Sequence, residues 1–178
     1  AGVVAHPVAE NPDALRLESG PAIPQLPGFA EGWWTPQDLT AMQAAPRLAP
    51  IAGARVWDLC AAPGTKTTHL AELMDDHGEI LATDRDAERL FRIDENAKRL
   101  GLTSIRSRFI NEDPSTHPAS LFDHILLDVP CSNTGVLHRR AEARWRLEPR
   151  ALADLPLEQT ALLTLAWSRL RPGGTLLY

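Results

Sequence analysis

The residues of this sequence best suited to chemistry are a carboxylate and a thiol that follow a short apolar run. Residues 124–127 lead into Asp128, then Pro130 and Cys131, and small residues continue to Gly135. A thiol is a strong nucleophile of tunable acidity, and a neighbouring carboxylate can hold the edge of a base. Sulfur attack on a pyrimidine ring needs this arrangement. We therefore interpret Asp128 and Cys131 as candidate catalytic residues for chemistry on cytosine.

A second run, at residues 58–69, has the composition of a cofactor-binding loop. Its small residues 61–64 follow a predicted strand and open a predicted helix, so the backbone can approach a ligand closely. Asp84 ends the next predicted strand, 20 residues after residue 64, where a carboxylate can accept both hydroxyls of a ribose. The run lacks GxGxxG, and it departs from GxxxxGK[ST] because a threonine precedes Lys66. The pattern favours a nucleoside cofactor without a pyrophosphate, namely S-adenosylmethionine. The alternative is a plain strand–helix turn with a chance acid downstream.

Together the two runs predict methyl transfer to carbon 5 of cytosine. Carbon 5 is a poor nucleophile, but a thiolate that adds to carbon 6 turns the ring into an enamine that can attack a methyl sulfonium. Loss of the carbon-5 proton and expulsion of the sulfur complete the cycle, and Asp128 at the polar edge of the ring would favour the adduct. From the residues alone Cys131 is the candidate nucleophile, because Cys60 lies in the cofactor loop and can equally be a packing residue. Lys66 is a third candidate catalytic residue, in contact with cofactor or substrate, or else a solvated lysine.

A cluster of arginines follows the Cys131 loop. Residues 138–150 contain five Arg and two Glu, a local net charge of +3 (5 − 2) in a chain whose net charge is −5. Arginine binds phosphate as a bidentate fork, and tryptophan offers a face on which a base can stack. The alternative is a solvated helical face with ion pairs such as Glu142 with Arg146. We predict an RNA contact beside the pocket into which a base is turned. Its candidate residues are Arg139, Arg140, Arg144, Trp145 and Arg146.

The composition is that of a soluble globular protein. The 178 residues are 44% hydrophobic and 23% charged. No stretch approaches the roughly 18 apolar residues of a membrane span, and no signal peptide opens the sequence. The two cysteines are too few for a disulfide framework and form no CxxC metal pair. We therefore expect a cytoplasmic protein that binds neither a membrane nor a metal ion.

Strands and helices alternate from Arg55 onward, which predicts an α/β fold with a parallel sheet covered on both faces. Ligands of such sheets bind beyond the carboxyl ends of the strands. The predicted strands are 55–59, 79–83, 105–109, 124–127 and 175–178, and the predicted helices are 41–48, 65–74, 86–101 and 155–170. In the third helix we predict an N-cap at Asp86, an end at Gly101 and one apolar face, made of Leu90, Phe91, Ala97 and Leu100. The proline-rich residues 1–32 are interpreted as a linker or extended arm, and residues 33–178 as the catalytic core. Because the sequence opens without Met and stops inside the last predicted strand, we expect a C-terminally incomplete fragment.

The two chemical runs resemble the first and fourth motifs of the Sun (Fmu) type RNA cytosine-5 methyltransferases. The resemblance is strongest to the bacterial enzymes that act on 16S ribosomal RNA, and it covers most of residues 26–178. It extends to Leu26-Pro27-Gly28-Phe29, Gln37-Asp38, residues 96–101 and Pro172-Gly173-Gly174. It implies a Rossmann-like S-adenosylmethionine-dependent methyltransferase fold, here truncated after the fifth strand, that is a monomer at full length.

The resemblance also implies which residues bind the cofactor. They are Cys60, Ala61, Ala62, Pro63, Gly64, Thr65, Lys66, Asp84, Asn111 and Asp128. Asn111 is the best match to a position where the family has Asp near the adenine, and an amide there can still hydrogen-bond the adenine edge.

For catalysis, the resemblance places the attacking thiol in a Thr-Cys-Ser motif beyond Tyr178 and assigns to Cys131 the release of the methylated product. The sequence as given would then bind cofactor without turnover. Much of the family's grip on RNA comes from a separate N-terminal domain, so an acidic net charge does not exclude RNA. Two alternatives remain open: a methyltransferase for a substrate other than RNA, and a module that binds cofactor or RNA without turnover.

Overall fold

A five-stranded parallel sheet forms the centre of the molecule, whose computed structural model describes residues 2–9, 11–132, 134 and 149–178. The strands are β3 (Arg55–Asp58), β4 (Glu79–Asp84), β5 (Ile105–Phe109), β6 (Phe122–Leu126) and β7 (Leu170–Leu177). They lie in the order β5-β4-β3-β6-β7, and every neighbouring pair is parallel. The predicted α/β class with a parallel sheet is confirmed.

Four α-helices accompany this sheet in the described part of the chain. They are α1 (Ala44–Leu48), α2 (Thr65–Leu73), α3 (Ala87–Leu100) and α4 (Pro149–Ser168). Helix α3 has the predicted caps: the Asp86 side chain accepts a hydrogen bond from Arg89 N at 3.0 Å, and Gly101 ends the helix at φ 71°. Its buried residues are Leu90, Ile93 and Ala97, whereas Phe91 of the predicted face is 63% exposed and Leu100 is only half-buried. Within the described residues, none of the helices has the length and apolar character needed to cross a membrane.

The sheet is buried on both faces, each with its own core. Alternate residues of a strand point to opposite faces, so Val56 and Trp57 enter different clusters. Val56 packs in the cluster that contains Leu70 of α2 and Ile93 of α3. Trp57 packs in the cluster that contains Ala166 of α4. Helices α2 and α3 therefore cover one face and α4 covers the other, which leaves the strand ends open between them.

An antiparallel hairpin precedes the sheet, within the residues 1–32 that are interpreted as a linker or extended arm. Its strands are β1 (Val4–Val8) and β2 (Asn11–Ser19). Pro7 stands opposite Leu15 within this ribbon. Proline lacks an N–H group, but each strand of a two-stranded ribbon has one unpaired edge that tolerates it. The strands were not predicted because the proline content of this segment is typical of a linker. The division of the chain at residue 32 stays a prediction.

The segment that follows the hairpin is fastened to α3 by Arg99. The guanidinium Nη1 donates to Phe29 O at 2.9 Å and to Trp34 O at 3.0 Å, and the group lies 4.1 Å from the centre of the Phe29 ring. Gly32 has φ +75°, and a Cβ there would lie 2.0 Å from Arg99 O, so only glycine permits this approach. Trp33 beside it is 78% exposed.

Candidate active site

The predicted cofactor loop and the predicted catalytic run lie at one edge of the sheet. β3 has β4 on one side and β6 on the other, so strand order reverses beside it. Such a switch point, at the carboxyl ends of the strands, is where open α/β sheets bind ligands. Leu59 N donates to Leu126 O at 3.0 Å, which fixes the start of the loop against the end of β6. The fold thus brings residues 58–66 and 128–131 together.

The loop itself is held by backbone hydrogen bonds and by a glycine. Ala61 N donates to Thr83 O at 2.9 Å, and Gly64 N donates to Ala61 O at 2.7 Å. Gly64 is the N-cap of α2 with φ +96°, and a Cβ there would lie 3.0 Å from Ile93 Cγ1 and 3.1 Å from its Cα. The glycine is therefore needed both for the turn and for the close packing of α2 on α3.

Asp84 ties the loop to the end of β4. This carboxylate is only 7% exposed, and its Oδ2 accepts from Ala62 N at 2.9 Å while Oδ1 accepts from Asp86 N at 3.0 Å. Each carboxylate oxygen has a second lone pair with which to accept a further donor, such as a ribose hydroxyl. The arrangement fits the prediction for Asp84 and adds a structural task that the sequence did not reveal.

Lys66 joins the two predicted runs directly. Its ammonium, on the first turn of α2, forms an ion pair with Oδ2 of Asp128, two residues beyond the end of β6. The Lys66 side chain is 21% exposed and that of Asp128 is 57% exposed, so the pair borders solvent. Of the two readings of Lys66, a site residue or a solvated lysine, this geometry favours the first.

Asp58 is a further acid of the site that the sequence analysis did not single out. It is buried at the end of β3, where Oδ2 accepts from Thr67 Oγ1 at 2.7 Å and Oδ1 has no hydrogen-bond partner among the described residues. Burial raises the pKa of Asp58 to about 7, against the Thr67 hydrogen bond and the charge of Lys66, which lower it. The sequence signal that could have identified Asp58 is its position as an acid at the end of an apolar strand.

The two cysteines occupy different environments. Cys60 is half-buried against the Trp57 cluster, and burial, followed by the charges of Asp84 and Asp58, raises the pKa of its thiol to about 12. A thiol with that pKa is almost wholly protonated near neutral pH, which favours the packing role for Cys60. Cys131 is exposed at the site.

Asn111 follows β5 and lies beside the end of β4, because Ile110 N donates to Asp84 O at 3.1 Å. Its side-chain oxygen accepts from Asp113 N at 2.9 Å and from Thr116 Oγ1 at 3.2 Å, within its own loop. The adenine contact therefore stays a prediction. The candidate RNA-binding residues lie outside the described residues; they are Arg139, Arg140, Arg144, Trp145 and Arg146.

Comparison with known proteins gives related sequences over the whole chain. A family model described as 16S rRNA methyltransferase RsmB/F matches residues 45–178. Ribosomal RNA small subunit methyltransferase B of Salmonella heidelberg (strain SL476) is 44% identical over 183 positions, which cover 100% of this chain and 42% of that protein. The protein of the same name from Salmonella typhi matches equally well. The chain thus spans less than half the length of these relatives.

Solved structures with similar folds come from Pyrococcus horikoshii. A methyltransferase homologue has a TM-score of 0.83 and 31% identity, over 99% of this chain and 56% of that one. NSun6, whose structure was determined with SFG, has a TM-score of 0.77 and 33% identity, over 92% of this chain and 43% of that one.

Proposed function

The chain belongs to the 16S rRNA methyltransferase RsmB/F family, and on this premise we propose that it carries the cofactor-binding and base-binding edge of an RNA cytosine-5 methyltransferase. The substrate would be a cytosine in RNA, with 16S ribosomal RNA as the first candidate. The single observation that carries this proposal is the Lys66–Asp128 ion pair, which unites the cofactor loop with the Asp-x-Pro-Cys segment.

S-adenosylmethionine, which supplies an electrophilic methyl group when bound, fits the residues of this edge. The loop of small residues 61–64 leaves its backbone open to close approach, and the N-terminus of α2 begins there. Asp84 is fixed in place with lone pairs for the ribose hydroxyls. Two further candidates for cofactor contact, Lys66 and Asp128, lie at the same loop.

For the base, Asp128 is the group proposed to hold ring nitrogen 3 and the exocyclic amine of cytosine. It lies at the exposed end of the ion pair with Lys66, so a base can reach it from solvent. A carboxyl group at that edge stabilises the ring after sulfur has added to carbon 6. Lys66 orients the carboxylate and supplies a positive charge beside it.

The thiol chemistry is divided between two cysteines in this proposal. The raised pKa of the Cys60 thiol disfavours it as the nucleophile. Cys131 assists the release of the methylated product, and the attack on carbon 6 is made by the cysteine of a Thr-Cys-Ser motif beyond Tyr178. The competing possibility is that Cys131 itself attacks.

The test uses the protein extended to the length of its relatives. It should transfer labelled methyl from S-adenosylmethionine to unmodified 16S RNA, with 5-methylcytosine as the product in nucleoside mass spectrometry. Alanine at the Thr-Cys-Ser cysteine should abolish transfer, whereas Cys131→Ala should let a covalent protein–RNA complex accumulate. Methylation of another base or of no RNA would overturn the proposal. Turnover by residues 1–178 alone would assign the attack to Cys131.

A further inference from the structure

We propose that Gln159 is a positioning residue of the active site, which holds the Pro130–Cys131 peptide in place from the opposite face of the sheet. Its side-chain Nε2 donates to Pro130 O at 2.8 Å. That carbonyl belongs to the peptide bond that leads into Cys131. The inference rests on the proposed function for its meaning in catalysis, but the contact itself can be tested without it.

The segment needs such an anchor because it has left the sheet. Just past the end of β6, Leu127 N still donates a backbone hydrogen bond to Leu177 O of β7, at 2.9 Å. Residues 127–132 lie outside helices and strands. A partly buried carbonyl in such a segment depends on side chains or water for a donor, and Gln159 provides one three residues past the ladder.

Gln159 also lies close to the end of β7. The Tyr178 hydroxyl is 3.5 Å from Gln159 Oε1, a long hydrogen bond. The side-chain amide of Gln159 therefore contacts the ends of both β6 and β7. Its nitrogen donates to the segment after β6, and its oxygen accepts from the end of β7. The end of β6 leads to Cys131. The end of β7 leads to Tyr178, beyond which the attacking cysteine is proposed to lie.

The residue before Gln159 on α4 makes a second contact at this edge of the sheet. Glu158 forms an ion pair with Arg85, the residue after Asp84. Helix α4 is thus fastened at one residue to the strand end that carries Asp84 and at the next to the Cys131 segment. Two adjacent residues of α4 thus contact the two segments that lead to Asp84 and to Cys131.

The required chemistry of the side chain is specific. Pro130 O is a hydrogen-bond acceptor. Of the two polar atoms of the Gln159 side chain, the nitrogen alone can donate to it. In Gln159→Glu the ionised carboxylate is acceptor-only and repels Pro130 O, whereas protonation at lower pH restores one donor. In Gln159→Met the size is kept and the donor is lost at every pH. The two variants therefore differ in the pH dependence of their defect.

The experiment compares both variants with wild type in the protein extended to the length of its relatives, with Gln25→Glu as a control. Gln25 is exposed and is not one of the site residues, and its replacement by Glu makes the same change of charge. Hydrogen exchange should be about tenfold faster in the peptide 127–132 in both Gln159 variants, because loss of the anchor loosens the segment next to the hydrogen-bonded Leu127 N–H. The Kd for S-adenosylmethionine should stay within twofold, because the cofactor loop is untouched.

In the methyl-transfer assay, kcat should fall about tenfold in both variants at pH 8, with more covalent protein–RNA complex at steady state. The defect of Gln159→Glu relative to wild type should shrink as the pH falls toward 5.5, while that of Gln159→Met should not. Unchanged exchange in 127–132 overturns the positioning role, whether or not RNA is methylated. Faster exchange with unchanged kcat overturns its catalytic meaning. If wild type methylates no cytosine, the proposed function fails and the exchange result still decides the contact.

Discussion

The Lys66 ammonium and the Asp128 carboxylate, 62 positions apart in the sequence, form an ion pair at the carboxyl edge of the sheet. Because the pair borders solvent, it contributes little to the stability of the fold. Its importance is that it brings a cation and an anion to the place where the cofactor loop meets the Asp-x-Pro-Cys segment. A neutral side chain in place of either partner would change the charge that a bound base would meet.

Replacement of either partner should therefore reduce activity far more than stability. We expect Lys66→Met and Asp128→Asn to lower methyl transfer at least about 100-fold, and to change the free energy of unfolding by less than about 1 kcal/mol. Both quantities are measured in the same preparation, by transfer of labelled methyl and by urea unfolding. Glu79→Gln breaks the comparable surface pair with Arg55, away from the site, and should change neither. Retained activity in Lys66→Met would show that the pair has no role in catalysis.

Asp84→Asn should weaken cofactor binding and loosen the loop. One of the two backbone donors, Ala62 N or Asp86 N, would face an amide N–H instead of an oxygen. We expect the Kd for S-adenosylmethionine to rise at least about tenfold and the free energy of unfolding to fall by about 1–3 kcal/mol. Calorimetric titration and urea unfolding measure the two effects. The matched control is Asp86→Asn, which should bind normally because asparagine caps a helix as well as aspartate does.

Asp58 should make the fold less stable as the pH rises from about 4 to about 7. The unfolded chain loses the Asp58 proton near pH 4, while the folded chain keeps it until about pH 7. The folded state therefore binds more protons in this window, and its stability falls with rising pH, by up to about 4 kcal/mol. In Asp58→Asn, which can still accept the Thr67 hydrogen bond, this decrease should disappear.

The measurement for Asp58 is the free energy of unfolding between pH 4 and pH 8 for wild type and variant. The difference between the two curves isolates this group from the other titrating residues. Asp94→Asn, an exposed change on α3, serves as control and should parallel wild type. Parallel curves for wild type and Asp58→Asn would show that Asp58 is already ionised in the folded protein at pH 5.

Asp76 should have the opposite pH dependence. Burial opposes its ionisation, but hydrogen bonds from Ser104 and Thr103 outweigh it and lower the pKa of Asp76 to about 2. The bonds run from Thr103 N and Oγ1 to Oδ2, both at 2.8 Å, and from Ser104 N to Oδ1 at 2.9 Å. This stabilisation is complete above about pH 4 and is lost as the pH falls toward 2.

Asp76→Ala should accordingly lower the free energy of unfolding by about 1–3 kcal/mol at pH 7, because three donors lose a charged acceptor. The difference from wild type should narrow below pH 4. Urea unfolding at pH 7 and at pH 3 provides the check, with Asp75→Ala, the exposed neighbour, as control. A constant difference at both pH values would mean that the Asp76 carboxylate is not the group responsible.

Local signals were sufficient to predict most of the sheet and α3 from sequence. Strand β5 has the predicted bounds, and the caps of α3 at Asp86 and Gly101 are confirmed, since capping depends on residues within one turn. The grouping of Lys66 with Asp128 also followed from topology, because parallel strands place their carboxyl ends at one edge.

Long-range contacts account for what the sequence could not predict. Arg99 reaches backbone oxygens 65 and 70 positions away, and the amide of Gln159 meets Pro130 across 29 positions. No local pattern marks such a pair. The hairpin of β1 and β2 was hidden for another reason, since proline at a ribbon edge looks the same in sequence as proline in a linker.

The two backbone hydrogen bonds of Asp84 have a consequence for ligand selectivity. A carboxylate clamped at both oxygens has no rotamer freedom left to lose and cannot turn away from a poor ligand. A 2′-deoxy analogue would leave one of its buried lone pairs unmatched, and the side chain could not rotate toward water to compensate. For the proposed cofactor, the rigidity that shapes the loop therefore predicts that this edge of the sheet binds ribose in preference to deoxyribose.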